Sequence, residues 1–197
     1  PDLTHERLYT VEEFAALPGG GPLRELIRGR IIDVPPAGTD HSMLASWIAT
    51  LLNNSALPGR LGIVTGEQGG YLLSEDTVRA PDAAFMSRER LRKRGPYAVG
   101  GPDLVVEVVS PGDSAGDLQG KINDFFRAGT RLLWVVYPET RQIVVHTQNA
   151  ARTLNEFMCR PQADRIVLNN GRALTEGLPG YEELDAVLGV SGSSRFT

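Results

Sequence analysis

PDLVVEVVSP, at 102–111, constrains the fold more than any other stretch of the 197-residue chain. Leu104, Val105, Val106, Val108 and Val109 are what a central strand of a sheet requires. Glu107 stands in their midst. An ionised carboxylate in an apolar strand is costly unless something pairs with it. Strand alternation puts Asp103, Val105, Glu107 and Val109 on one face and Leu104, Val106 and Val108 on the other. Asp103 and Glu107 are then about 13 Å apart, too far to ligate one ion together. A partner for Glu107 has to come from elsewhere in the chain.

The rest of the chain reads as an alternation of helices and strands. TVEEFAAL (10–17) predicts a short helix, with Thr10 and Glu13 spaced as a capping box. Residues 23–34 read as two short strands, or as one kinked at Gly29. An amphipathic helix follows over 41–57, with Asp40 as its cap and Leu44, Trp47, Ile48, Leu51 and Leu52 on one side. Residues 63–73 and 77–87 read as two strands, and GPYAVGGP (95–102) as a loop. A helix over 117–130 closes at Gly129. RLLWVVYP (131–138) and RQIVVHTQ (141–148) form a strand pair. Weaker strands and a last helix, YEELDAVL, complete a single domain over 1–190, with 191–197 as a disordered tail. The fold class is α/β with a mixed central sheet flanked by helices.

Composition narrows the chemistry. Cys159 is the sole cysteine, so no internal disulfide and no thiolate metal site can form. His5, His41 and His146 lack ligand spacing, and no phosphate-binding glycine loop is present. A reducing, cytoplasmic compartment fits this usage. No apolar run reaches membrane-spanning length, and no basic-plus-apolar signal segment opens the chain. Net charge is −4, so any contact with nucleic acid needs a local basic patch or an intervening cation. RERLRKR (88–94) is such a patch, or else a solvated face.

A second PD dipeptide, in APDAAF, supplies the partner Glu107 lacks. If 82–87 pairs with 103–109, Asp82 and Glu107 converge, and two carboxylates so placed call for a hard cation such as Mg²⁺ or Mn²⁺. On the following helix the apolar stripe is Leu118, Ile122, Phe125 and Phe126. Lys121 lies about 60° off its centre, in the first turn, aimed at the end of the Glu107 strand. There it can hold a water or neutralise developing charge on a phosphate. Taken alone it is a lysine whose stem covers apolar surface.

Asp82, the Glu107 strand and the lysine together resemble the PD-(D/E)XK nuclease superfamily. The wording around them is similar to that of the Uma-two family of restriction endonucleases. The likeness runs through TVEEFAALP, RELIRGRII, the helix opening at His41, APDAAF, PDLVVEVVSPGD, GDLQGKINDFFRAGTRLLWVVYP and LPGYEELDAVL. It implies a restriction-endonuclease-like fold. It implies Asp82 and Glu107 as metal ligands, with the Val108 carbonyl adding a third oxygen and Lys121 as the motif lysine. Glu25, in RELIRGR, matches an acidic position and would act as an outer ligand or orient a water. Two positions depart from the pattern. Val109 stands where a strict E-X-K motif has lysine, and Arg28 stands where the family usually carries an acidic residue.

The bland alternatives are specific. Asp82 can be a strand-start residue, Glu25 a surface partner of Arg24 or Arg28, and Asp103 an anchor of the strand entrance. Ser110 lacks an evident histidine neighbour for hydrolase chemistry, and His41 reads as a cap or core residue that could line a cleft. The expected activity is Mg²⁺-dependent endonucleolytic hydrolysis of DNA, with Arg88, Arg92, Lys93 and Arg94 against the backbone and a homodimer as the assembly. A nuclease-like fold that binds nucleic acid or protein without turnover is the competing expectation, and hydrolysis of another phosphodiester the third.

Overall fold

The structure, a computed structural model, describes residues 7–19, 22–155, 157–159 and 166–168. The Thr10 hydroxyl accepts the Glu13 N–H and the Glu13 carboxylate accepts the Thr10 N–H, so the capping box starts α1 (Val11–Ala15) as expected. Arg28 and Gly29, at φ 50° and 77°, turn residues 23–34 into a hairpin of β1 (Leu23–Ile27) and β2 (Arg30–Val34). The next helix, α2 (Thr39–Ala56), begins earlier than the sequence suggests. Its cap is Gly38 rather than Asp40, which sits in the first turn where its charge still complements the helix dipole.

The two runs read as single strands are each divided. The first becomes β3 (Gly62–Gly66) and β4 (Tyr71–Ser74), the second β5 (Thr77–Arg79) and β6 (Ala83–Ser87). Within each run the two halves enter different sheets. The break in the second run is Ala80-Pro81-Asp82, where proline cannot extend a ladder. The basic run and the expected loop hold a small hairpin, β7 (Lys93–Arg94) and β8 (Tyr97–Val99). Beyond it come β9 (Leu104–Val108), α3 (Ala115–Arg127), β10 (Leu132–Tyr137), β11 (Gln142–His146), β12 (Ala151–Asn155), β13 (Phe157–Cys159) and β14 (Ile166–Leu168). The expected last helix and tail lie outside the described residues.

The mixed sheet expected from sequence is β12-β11-β10-β9-β6-β3, in which β9 and β10 run parallel through the α3 crossover. Leu104, Val106 and Val108 face α2 through Leu44, Ile48 and Leu52, whereas Val105 faces Ile122 and Phe125 of α3. The sequence did not announce the second mixed sheet, β2-β1-β5-β4-β8-β7. Its Leu26, Leu72 and Val78 pack on Val11 and Phe14 of α1, while Tyr71 and Ala98 pack on Ala84 and Met86 of the first sheet. The second sheet and α3 thus share one face of the first sheet, and α2 covers the other.

Asp103 is the anchor expected of it. Fully buried, it accepts the Ser87 N–H at 2.8 Å and pairs with Arg90 at 2.8 Å, which ties the entry of β9 to the exit of β6. Arg90 also donates to the carbonyls of Gly101 and Gly129. Asp103→Ala leaves the guanidinium with its charge uncompensated and should cost about 3–5 kcal/mol in urea unfolding. A wild-type midpoint for this variant would remove the anchor role.

Candidate active site

Side-chain alternation on four strands aims charged groups at one place. On β1, Leu26 faces α1, so Glu25 faces the opposite way, toward α3. On β5, Val78 pairs with Leu26, and Arg79 therefore points with Glu25. On β9, Glu107 shares the α3 face with Val105. The register of β6 on β9 pairs Ala83 with Val106, so Asp82 is brought opposite Glu107, as the second PD dipeptide suggested. These groups line a cleft of about 860 Å³ between the β1–β2 hairpin, the Ala80–Asp82 crossing and α3.

Lys121 donates to Glu107 Oε2 at 2.7 Å and stands 3.7 Å from Glu25 Oε1. It lies in the second turn of α3, not the first, because Ser114 caps the helix three residues before Asp117. Glu107 Oε1 is buried and has no hydrogen-bond partner. Burial pushes the Glu107 carboxyl up to about 8; Asp82 and Glu25 add to the rise, and Lys121 opposes it. Burial alone would lower the Lys121 pKa. The carboxylates of Glu107, Glu25 and Asp82 outweigh it and hold the ammonium above its usual range.

Glu25 is no surface residue, and its partner is neither Arg24 nor Arg28. Its Oε1 accepts the Ala80 N–H at 3.0 Å and its Oε2 accepts from Arg79 at 2.9 Å. Arg24 instead pairs with Asp33. The Arg79 guanidinium also meets Asp124 Oδ2 of α3, through Nη2 at 2.7 Å and Nε at 3.1 Å. Glu25, Arg79 and Asp124 therefore clamp three elements around the crossing that carries Asp82. Sequence reading missed Arg79 and Asp124. Each left a signal: Arg79 is a lone cation in an apolar strand run, and Asp124 follows Lys121 by three residues on one helix face.

Asp82 is held on both oxygens. Oδ2 accepts the Val108 N–H at 2.6 Å and Oδ1 meets His41 Nε2 at 3.1 Å. The hydrogen bond to Asp82 raises the His41 pKa against the effect of burial, with Glu67 and Asp113 adding to the rise. The opposite ring nitrogen, Nδ1, lies 2.9 Å from Ser110 Oγ. The expectation that Ser110 has no histidine neighbour is thus overturned. The two residues are remote in sequence, and α2 brings them together by crossing the far face of β9.

Among the described residues no three His, Cys, Asp or Glu side chains converge on one metal position. What the cleft offers is a pair of carboxylates, Asp82 and Glu107, beside the main chain of Val108. The basic run does not line it. β7 occupies the edge of its sheet opposite β2, with Arg94 on Glu12 and Arg92 donating to the Glu89 and Leu91 carbonyls. Arg28 and Arg30 are the cations of the β1–β2 wall. No helix of the described residues is long and apolar enough to cross a membrane.

A solved structure from Anabaena variabilis ATCC 29413, described as a "putative nuclease belonging to DUF820", superposes with a TM-score of 0.66, covering 91% of this chain and 98% of that one. At 22% identity the likeness shows a shared fold. A pterin deaminase of Rhizobium rhizogenes (strain K84 / ATCC BAA-868) is 50% identical over 41 residues, which is 21% of this chain and 9% of the deaminase. So small a share of that protein brings none of its activity here. The family model "Uma2: Putative restriction endonuclease" matches residues 11–179, and the chain belongs to that family.

Arg79→Met keeps the stem and removes the charge, leaving Glu25 with only Lys121 at 3.7 Å and Asp124 with only the exposed Arg28 and Arg127. The expected cost is about 3–5 kcal/mol in urea unfolding. Arg79→Lys should recover part of it, since one ammonium cannot fork between two carboxylates. Wild-type stability in Arg79→Met would mean that the clamp does not hold the crossing.

Proposed function

We propose that this member of the Uma2 family is a Mg²⁺- or Mn²⁺-dependent endonuclease that hydrolyses phosphodiester bonds in DNA. The observation that carries the reading is the orphaned Glu107 Oε1, a buried acceptor beside a second carboxylate in an open cleft. Charge balance supports it. Burial and the neighbouring Asp82 and Glu25 carboxylates raise the Glu107 carboxyl despite Lys121, the sign of negative charge short of a counter-ion. Magnesium uses one or two protein carboxylates and keeps several waters, so a donor set of Asp82, Glu107 and the Val108 carbonyl suits it without a third acidic side chain. When bound, such an ion supplies Lewis acidity to the phosphate and to an attacking water.

The protein's own groups do the rest. Lys121 carries a proton throughout the neutral range and is placed to neutralise charge that develops on the phosphate. Glu25 acts through others: its two oxygens fix Ala80 and Arg79, and with them the approach of Asp82. The Arg28 and Arg30 wall is the nearer surface for a phosphate backbone. Arg88, Arg92, Lys93 and Arg94 would meet a duplex only beyond it, since β2 and β7 are five strand spacings, about 24 Å, apart. A homodimer would supply the two sites that cutting both strands requires, and a cytoplasmic location suits a chain that acts on DNA.

Two observations favour binding without turnover: Lys121 already holds Glu107, and the net charge of −4 repels nucleic acid. Plasmid DNA incubated with purified protein and Mg²⁺ or Mn²⁺ separates the readings. Cleavage is expected from the wild type, none from Asp82→Ala, and a rate about 10²–10³ lower from Lys121→Ala. Cleavage that persists in both variants would assign it to a contaminant or another site. Calorimetry with no Glu107-dependent Mn²⁺ binding would leave the non-catalytic reading standing.

A further inference from the structure

The site described above leaves His41 and Ser110 without a task, yet both touch it. His41 belongs to α2, on the opposite side of the sheet from Lys121, and its imidazole reaches through to Asp82. A carboxylate can only accept, so Nε2 must carry the hydrogen that Asp82 Oδ1 receives. In the neutral ring Nδ1 is then an acceptor, and the Ser110 hydroxyl donates into it at 2.9 Å. Ser110 is itself fixed, because its N–H donates to Asp113 Oδ2 at 2.7 Å. The acceptor-only Asp82 thus fixes the tautomer, and the Ser110 hydroxyl, able to donate or accept, holds the other edge of the ring. With Val108 N–H on Oδ2 and His41 on Oδ1, the carboxylate plane is set from both sides, and each oxygen keeps a lone pair for a cation.

We propose that His41 is a positioning residue for Asp82 and that Ser110 holds the His41 ring in place, so that Ser110, His41 and Asp82 act in series to orient a metal-binding carboxylate. This rests on the metal-dependent reading above. The same three residue types would also suit a serine nucleophile, but the main-chain donors an oxyanion would need beside Ser110 are spent. Val109 N–H goes to the Val136 carbonyl and Ser110 N–H to Asp113. Outer hydrogen-bond partners of metal ligands are worth 10- to 100-fold in metal affinity, about the loss expected here.

The test is calorimetric titration of the full chain with Mn²⁺, with a thermal melt of each variant alongside. The amide nitrogen of glutamine reaches where His41 Nε2 does, and that of asparagine only where Nδ1 does. His41→Ala and His41→Asn should lose about 10- to 100-fold in Mn²⁺ affinity. His41→Gln should recover most of that loss, and Ser110→Ala should show a smaller one. Unchanged affinity in His41→Ala overturns the inference and leaves the metal reading intact. Equal losses in the glutamine and asparagine variants also overturn it, since bulk rather than the donor would then be what Asp82 requires. A wild type that binds no Mn²⁺ overturns both.

Discussion

Charge compensation at the parting of the two sheets is the constraint on which the rest of the structure depends. Glu25, Asp82, Glu107 and Asp124 approach one another there, and Arg79 and Lys121 are inserted between them. Arg28 and Arg127 reach Asp124 only from the exposed side, each at 3.9 Å. Buried ion pairs of this kind seldom add net stability, because desolvation consumes most of the attraction. Their value is directional. Each cation satisfies two carboxylates on different elements, so the elements can dock in only one arrangement. Glu107 is the member left incompletely satisfied, with one oxygen paired and the other without a partner.

Much of this was readable from the sequence because a strand has a period of two. Alternation along 102–109 put Glu107 on the face opposite Leu104, Val106 and Val108, and the packing follows that division. It also separated Glu107 from Asp103 and directed attention to Asp82, whose strand does pair with β9 in the register that brings the two together. The helical stripe of Leu118, Ile122, Phe125 and Phe126 put Lys121 on the boundary facing the strand. In each case a local period, read over a few residues, was enough to say which way a side chain points.

What could not be read is what depends on the path of the chain in space. Residues 63–73 and 77–87 look like two strands because nothing local reveals that each half joins a different sheet; the breaks, Gly66 to Gly70 in the first run and Pro81 in the second, do not say where the chain goes next. Missing the second sheet meant missing the role of Arg79, which points at Glu25 only because β5 pairs with β1. Meeting across the sheet, His41 and Ser110 are separated by 69 positions, and no spacing rule covers such a distance. The cap of α2 was misplaced for a simpler reason: Asp40 is a good capping residue, but the helix begins earlier, with Gly38 as its cap.

The crossing at Ala80–Asp82 also governs when the charged centre can exist. Its members come from β1, α2, β5, the crossing, β9 and α3, so most of its contacts close long loops of chain. Loop closure of that kind is entropically slow and is repaid only when both sheets are in place. A chain still being synthesised, or one with only the first sheet formed, holds its carboxylates apart in water at their ordinary separations. Whatever chemistry the cluster performs is therefore withheld until folding is complete, and the assembled centre is itself the report that the two layers have met.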